Sequence, residues 1–252
     1  MGASSGIGYA VAEALASRGV KVGIAARHTS AMKALKEKYP NFVEYMGIDV
    51  TKPAATTHLN TLIDKVGGMD IYIHVAGIGY ENLSLSPERE VEIVNTNAAG
   101  FARMLCAAYR YFSLHGGIGQ IAAITSVAGT KGIGRLSAYS ASKKFGQAYM
   151  VALEQLSHAE GNEIAFTDIR PGWVRTPLID ADRKYPMEMT LEYVLPRIIK
   201  AIVRKERVAV IDWRWNLLVG AWRCVPNYIW TRMQMKISEP DSPLPYYGGE
   251  EG

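Results

Sequence analysis

The chain has 252 residues, 48% of them hydrophobic, and a formal charge of +4. That is enough for one α/β domain with a substantial core, and too small a charge excess to imply a nucleic-acid partner. The two cysteines, Cys106 and Cys224, lie in apolar stretches, which points to a reducing compartment and away from a disulfide framework.

The opening residues put Gly2, Gly6 and Gly8 at the spacing G-x-x-x-G-x-G, ahead of Val11, Ala12, Leu15 and Ala16 at helical intervals. Glycines there let a backbone approach a pyrophosphate, and a helix N-terminus offers unpaired N–H groups and a positive dipole end. An ordinary turn before a helix would read the same way. Strands are then expected at residues 20–25, 43–48, 71–75, 120–125, 163–169 and 207–211. Helices are expected at 8–18, 29–38, 53–66, 87–111, 138–160 and 191–205. This alternation predicts a single-domain α/β fold, a doubly wound Rossmann-like parallel sheet in three layers. The strands are apolar nearly throughout, as a sheet covered on both faces requires. The opening residues show no basic-then-apolar leader, and no apolar run reaches the ~18 residues of a membrane span. A cytoplasmic location is the expectation.

Ser126 ends the apolar run 121–125, and Tyr139 follows thirteen residues later in Ser137-Ala-Tyr-Ser-Ala-Ser-Lys. Lys143 stands four residues beyond Tyr139, one helical turn away on the same face. A phenol is a poor acid or base at neutral pH, and a cation one turn away favours the phenolate and lowers its pKa. Taken alone, the pair also suits a solvated helix face. Lys144 falls about 100° round the helix and reads as a surface lysine. Further along come Asp49-Val50, Ala76-Gly77, Asn97 three residues before Gly100, and Pro171-Gly-Trp-Val-Arg-Thr176.

In order and interval, these motifs resemble those of the short-chain dehydrogenase/reductases over residues 1–211. The resemblance implies hydride transfer between a nicotinamide and an alcohol or carbonyl, with no metal. Tyr139 would be the general acid/base, Ser126 would bond the substrate oxygen, and Lys143 would hold the nicotinamide ribose. Asn97 would hold a water linking Lys143 to solvent. The cofactor would lie along Gly2, Ser4, Gly6, Ile7, Gly8, Arg27, Thr29, Asp49, Val50, Ala76, Gly77, Tyr139, Lys143, Pro171, Gly172, Val174 and Thr176. Asp49 would meet the adenine amino group, with Val50 packed on the ring. After the second strand, Ala26 takes the place of a ribose-binding carboxylate and Arg27 follows. A guanidinium suits a 2′-phosphate, so NADP is favoured over NAD.

Two features depart from the family pattern. The strand that precedes the glycine loop at the sheet centre is absent from this chain, so residues upstream of Met1, or some other segment, are expected to fill its place. A chain starting at Met1 would bind NADP poorly, and a binding protein without turnover is then the alternative function. His74-Val75-Ala76-Gly77 stands where the family often has Asn-Asn-Ala-Gly, and His74 reads as a core or strand-edge residue. Trp173 suits either a pocket wall or the core.

The substrate end is read in residues 127–133, in 177–179 and in a C-terminal extension. All are largely apolar, implying a hydrophobic carbonyl or alcohol such as a steroid, a lipid or a xenobiotic ketone. Residues 212–236 form a Trp- and Arg-rich extension broken at Pro226, and 237–252 a Pro- and Gly-containing tail. From 197 to 236 there are nine Lys/Arg against Glu206 and Asp212. The extension reads either as a substrate cap or subunit contact, which is preferred, or as a membrane-surface helix. Small and apolar residues on helices 87–111 and 138–160 imply, through the resemblance, a homodimer or tetramer.

Overall fold

The computed structural model describes residues 1–179 and 182–233. Six parallel strands alternate with helices: α1 (Gly6–Ala16), β1 (Val22–Ala26), α2 (Ser30–Lys38), β2 (Val43–Gly47), α3 (Ala55–Val66) and β3 (Ile71–His74). After these come α4 (Pro87–Val94), α5 (Phe101–Leu114), β4 (Ile118–Ile124), α6 (Ser137–Ala159) and β5 (Glu163–Arg170). Last are α7 (Leu191–Val203), β6 (Val208–Val210), α8 (Trp213–Cys224) and α9 (Asn227–Trp230). The expected doubly wound architecture is present, with most boundaries displaced by one to three residues. Residues 234–252, which include the expected tail, lie outside the described part.

Three layers follow from the apolar faces. Leu59 and Leu62 of α3, Met104 and Leu105 of α5 and Met150 and Leu153 of α6 cover one side of the sheet. Val11 of α1 and Val194, Ile198 and Ile202 of α7 cover the other, where Met32 and Leu35 of α2 pack beside Ala12 and Ala16. Ile121, Ala122 and Ala123 of β4 have no exposure at all. That two-sided burial is why the strands read as continuous apolar runs.

The sheet is in two parts, β1–β2 and β3–β4–β5–β6. At the gap, Met1–Ala3 hydrogen-bond to both sides. Gly2 and Ala3 donate to Ala25 O, at 2.7 and 3.2 Å, and Val75 donates to Met1 O at 2.9 Å. These bonds set the glycine loop above the ends of β1 and β3, where an open α/β sheet places its ligand crevice.

The long helix expected over 87–111 is interrupted. Between α4 and α5 the residues Asn95–Gly100 form one π-helical turn. Such insertions recur at functional sites, and this one turns Asn97 inward, where it is buried. Cys106 and Cys224, though set in apolar sequence, are both exposed, each on the solvent side of its helix.

Candidate active site

A cavity of about 810 Å³ runs from the glycine loop across the C-terminal strand ends to α8. Its loop end is built by close backbone approach. Gly2 has φ +89°, and a Cβ there would sit 2.4 Å from Ala76 N. A Cβ on Gly8 would lie 2.0 Å from Gly2 O, so only glycine lets α1 start against the loop. The N-cap Ser5 makes no side-chain cap bond and the first turn carries no acidic residue. The first N–H groups of α1 are therefore not neutralised from within the helix, which suits an anionic group.

Gly2, Ser4, Gly6, Ile7, Arg27, Asp49, Val50, Ala76, Gly77, Pro171, Gly172, Val174 and Thr176 all line this one cavity, as do Ser126, Tyr139 and Lys143. Gly8, Thr29 and Asn97 do not line it. Gly8 supports the loop from behind. Thr29 is exposed at the N-cap of α2. Asn97 donates from Nδ2 to Ile78 O (2.7 Å) and to Ser142 Oγ (3.2 Å), and its Oδ1 accepts from Ile78 N at 2.8 Å. It braces the strand-end loop against α6. Arg103 likewise steadies Val50 by donating to its carbonyl at 2.5 Å.

Asp49 is drawn between opposing effects. Burial raises its pKa, but bonds from the Thr51 amide and hydroxyl and the charges of Arg27 and Lys52 outweigh it, leaving the carboxyl below its usual range. Arg27 and Asp49 thus face the same end of the cavity with opposite charge.

At the other end, Ser126 caps a short 3₁₀ turn, Val127–Thr130, by accepting from Ala128 N at 3.1 Å. Its hydroxyl donates to Pro171 O at 3.3 Å and also meets the Tyr139 hydroxyl. Lys143 Nζ lies 5.5 Å from the Tyr139 ring centre and donates to Ile124 O at 3.2 Å. The end of β4 and helix α6 therefore bring the three side chains to one cavity.

The electrostatics differ from expectation. A Tyr139 pKa lowered by Lys143 was anticipated. Instead burial raises it, and the hydrogen bond with Ser126 offsets only part of that rise. Lys143 is itself pushed down to about 8 by burial, with Asp168 acting in the opposite sense. Burial disfavours the charged form of each group, so the phenol is pushed up and the ammonium down together.

A family model described as short chain dehydrogenase matches residues 1–186. The chain belongs to the short-chain dehydrogenase/reductases. An uncharacterized oxidoreductase of Myxococcus xanthus is 34% identical over 234 residues, covering 90% of this chain and 91% of that protein. The 3-oxoacyl acyl-carrier-protein reductase FabG of Escherichia coli is 30% identical over 186 residues, covering 71% of this chain and 74% of that one. Among solved structures, a short-chain dehydrogenase from Sphingobium yanoikuyae in complex with NADPH has the same fold, with TM-score 0.73 and 23% identity over 98% of this chain and 97% of that one. This short-chain dehydrogenase/reductase is thus an enzyme of the NAD(P)-dependent oxidoreductase class, acting on CH–OH and C=O groups.

Several side chains at this dehydrogenase's site were not singled out in the sequence. Behind Lys143, Thr125 Oγ1 donates to Asp168 Oδ1 at 2.5 Å, and Arg170 grips Asp168 Oδ2 through Nε (2.8 Å) and Nη2 (2.6 Å). All three are buried. An aspartate and an arginine at the inner end of a buried strand were the available signal. On the substrate side, Trp173 stacks on Tyr185 with ring centres 4.5 Å apart, so Trp173 is a wall residue. Trp215 of α8 lies flat over Gly172, where a Cβ would come within 2.1 Å of its indole. Glu81 and Arg183 also line the wall, 3.5 Å apart, and Arg135 joins Glu81 at 3.1 Å. His74 is buried in the core, sharing a 2.9 Å hydrogen bond with the Tyr72 hydroxyl, and burial holds its pKa well below the usual value. It is a neutral core residue there.

Proposed function

We propose that this enzyme reduces or oxidises a hydrophobic carbonyl or alcohol, such as a steroid, a lipid or a xenobiotic ketone, with NADP preferred to NAD. The observation that carries the reading is the meeting of the Ser126 and Tyr139 hydroxyls at the wall of a cavity whose substrate end includes Ile133, Leu136, Trp173, Tyr185 and Trp215, with Glu81 and Arg183 paired beside them. The loop, the α1 N-terminus and Lys143 together fit a dinucleotide, and the nicotinamide, when bound, supplies or accepts the hydride. Ser126 donates a hydrogen bond to the substrate oxygen, where negative charge develops during reduction. Tyr139 gives that oxygen its proton in reduction and takes it back in oxidation. Lys143 binds the ribose hydroxyls and replaces the Tyr139 proton through a water, with Asn97 holding the neighbouring loop in place. Residues 1–211 carry cofactor and chemistry, and 212–236 carry the cap.

The test is a panel of apolar ketones and alcohols followed by NADPH absorbance. Absence of turnover on every member, with cofactor bound, would favour a binding protein. Cofactor preference is read separately. NADPH is expected to bind more tightly than NADH, and Arg27→Ala to narrow the difference by about 1.5–3 kcal/mol, the scale of a charged hydrogen bond. Equal affinities in the native enzyme, unchanged by Arg27→Ala, would contradict the preference.

A homodimer or tetramer is also proposed, through α4, α5 and α6. Val91 and Val94 of α4 and Phe145 and Val151 of α6 are exposed large apolar residues, and Phe145 stacks on Tyr149 at 5.5 Å. Light scattering is expected to give at least twice the chain mass at micromolar concentration. A monomer there would count against this interface.

A further inference from the structure

Helix α8 is apolar on two opposite sides. Trp215, Leu218, Val219 and Trp222 face inward, and Trp215, Leu218 and Trp222 roof the cavity. At 100° per residue, Trp213, Leu217, Ala221 and Cys224 share the opposite side, and all four are exposed. Trp213 is 68% exposed and Leu217 66%, with Tyr228 (66%) and Ile229 (42%) following in α9. Arg214 borders one edge of the stripe and Arg223 the other, both exposed. From Trp213 to Met233 there are three arginines (Arg214, Arg223, Arg232) and no Asp or Glu.

The stripe is held firmly outward. The Trp230 indole donates to Gly132 O at 2.6 Å. Lys131 Nζ donates to Val225 O at 2.9 Å and to Asn227 Oδ1 at 2.8 Å. Asp212 caps α8 by accepting from Arg214 N at 2.8 Å, and its carboxylate also pairs with the Arg214 guanidinium. No carboxylate pairs with Arg223 or Arg232 among the described residues. Exposed tryptophan, leucine and tyrosine beside uncompensated arginine match the interface of an anionic bilayer, where rings sit at headgroup level and guanidinium meets lipid phosphate. No helix among the described residues is long and apolar enough to cross a membrane.

We propose that the outer side of α8, with α9, docks the enzyme on the surface of a membrane containing anionic phospholipid. The helix lies in the headgroup plane with Trp213 and Leu217 inserted and Arg223 and Arg232 on phosphate. The same helix roofs the substrate cavity, so the lipid surface and the cavity lie on its two sides. Docking needs neither turnover nor bound cofactor, so its test stands apart from the carbonyl panel.

The full chain is floated with vesicles of phosphatidylcholine, alone or mixed with phosphatidylglycerol. It is expected to float with the mixed vesicles, less with phosphatidylcholine alone and less at high salt. The double variant Trp213→Ser/Leu217→Ser is expected to lower partitioning about tenfold or more. Its melting temperature and its rate on a water-soluble ketone should match those of the native enzyme, since both side chains point away from the cavity. As a check without mutation, brominated phosphatidylcholine in the mixed vesicles should quench native tryptophan fluorescence. Failure to float with mixed vesicles at low salt, or flotation unchanged in the double variant, would overturn the proposal. So would a native oligomer that the double variant splits without any vesicle binding, which would assign the face to a second copy of the chain.

Discussion

Tyr139→Phe is expected to lower turnover by at least the ~10²–10⁴-fold that general acid–base help supplies. The ring stays in place and only the proton donor is lost. Its hydroxyl meets Ser126, which keeps its other contacts to Pro171 O and Ala128 N, so stability should change by only about 1 kcal/mol. Cofactor affinity should be preserved, because the cofactor end of the cavity lies on the glycine loop and Arg27. The measurement is a steady-state rate on the best substrate beside a fluorescence titration with NADPH. A variant turning over at nearly the native rate would remove Tyr139 from the chemistry.

Lys143→Met is expected to separate activity from stability. Burial holds the folded-state pKa down to about 8 against an ordinary 10.5. Between those values the unfolded chain binds more protons than the folded one, so the native protein gains stability as pH rises through that window. Below pH ~8 the full cost of the buried ammonium is present, at most about 3 kcal/mol. Methionine keeps the apolar stem and removes the charge. The variant should therefore melt above the native enzyme at pH 7, with the advantage fading as pH rises from 8 toward 10.5, while turnover falls sharply. Melting curves across that range and an NADPH-coupled rate check both halves. A variant less stable than the native chain at pH 7 would mean that Asp168 holds the ammonium more strongly than burial opposes it.

Much of this protein was determined by short-range pattern. Apolar runs bounded by turn residues marked every strand of the sheet to within a few residues. The helical turn from Tyr139 to Lys143 was legible because α6 is a regular element that carries spacing into geometry, whereas Ser126, reached across loop and short 3₁₀ turns, was placed beside them by the resemblance; all three line one cavity. The described sheet is parted between β1 and β3, where the resemblance expects a further strand. Only tertiary structure decided properties that depend on what is packed around a group. The direction of the Tyr139 pKa reverses because desolvation is a sum over neighbours distant in sequence, whereas the i,i+4 lysine is local. Asn97 turned out to brace Ile78 and Ser142 because a single π-helical turn rotates it inward, and no residue type encodes that turn. The cysteines lay in apolar sequence yet surfaced, since a helix can be apolar on a side that nothing covers. For residues 212–236 the sequence offered a cap or a membrane-surface helix as alternatives. The three-dimensional packing of α8 sets Trp215 on Gly172 and leaves Trp213 outside, because composition counts tryptophans whereas only folding assigns them to faces.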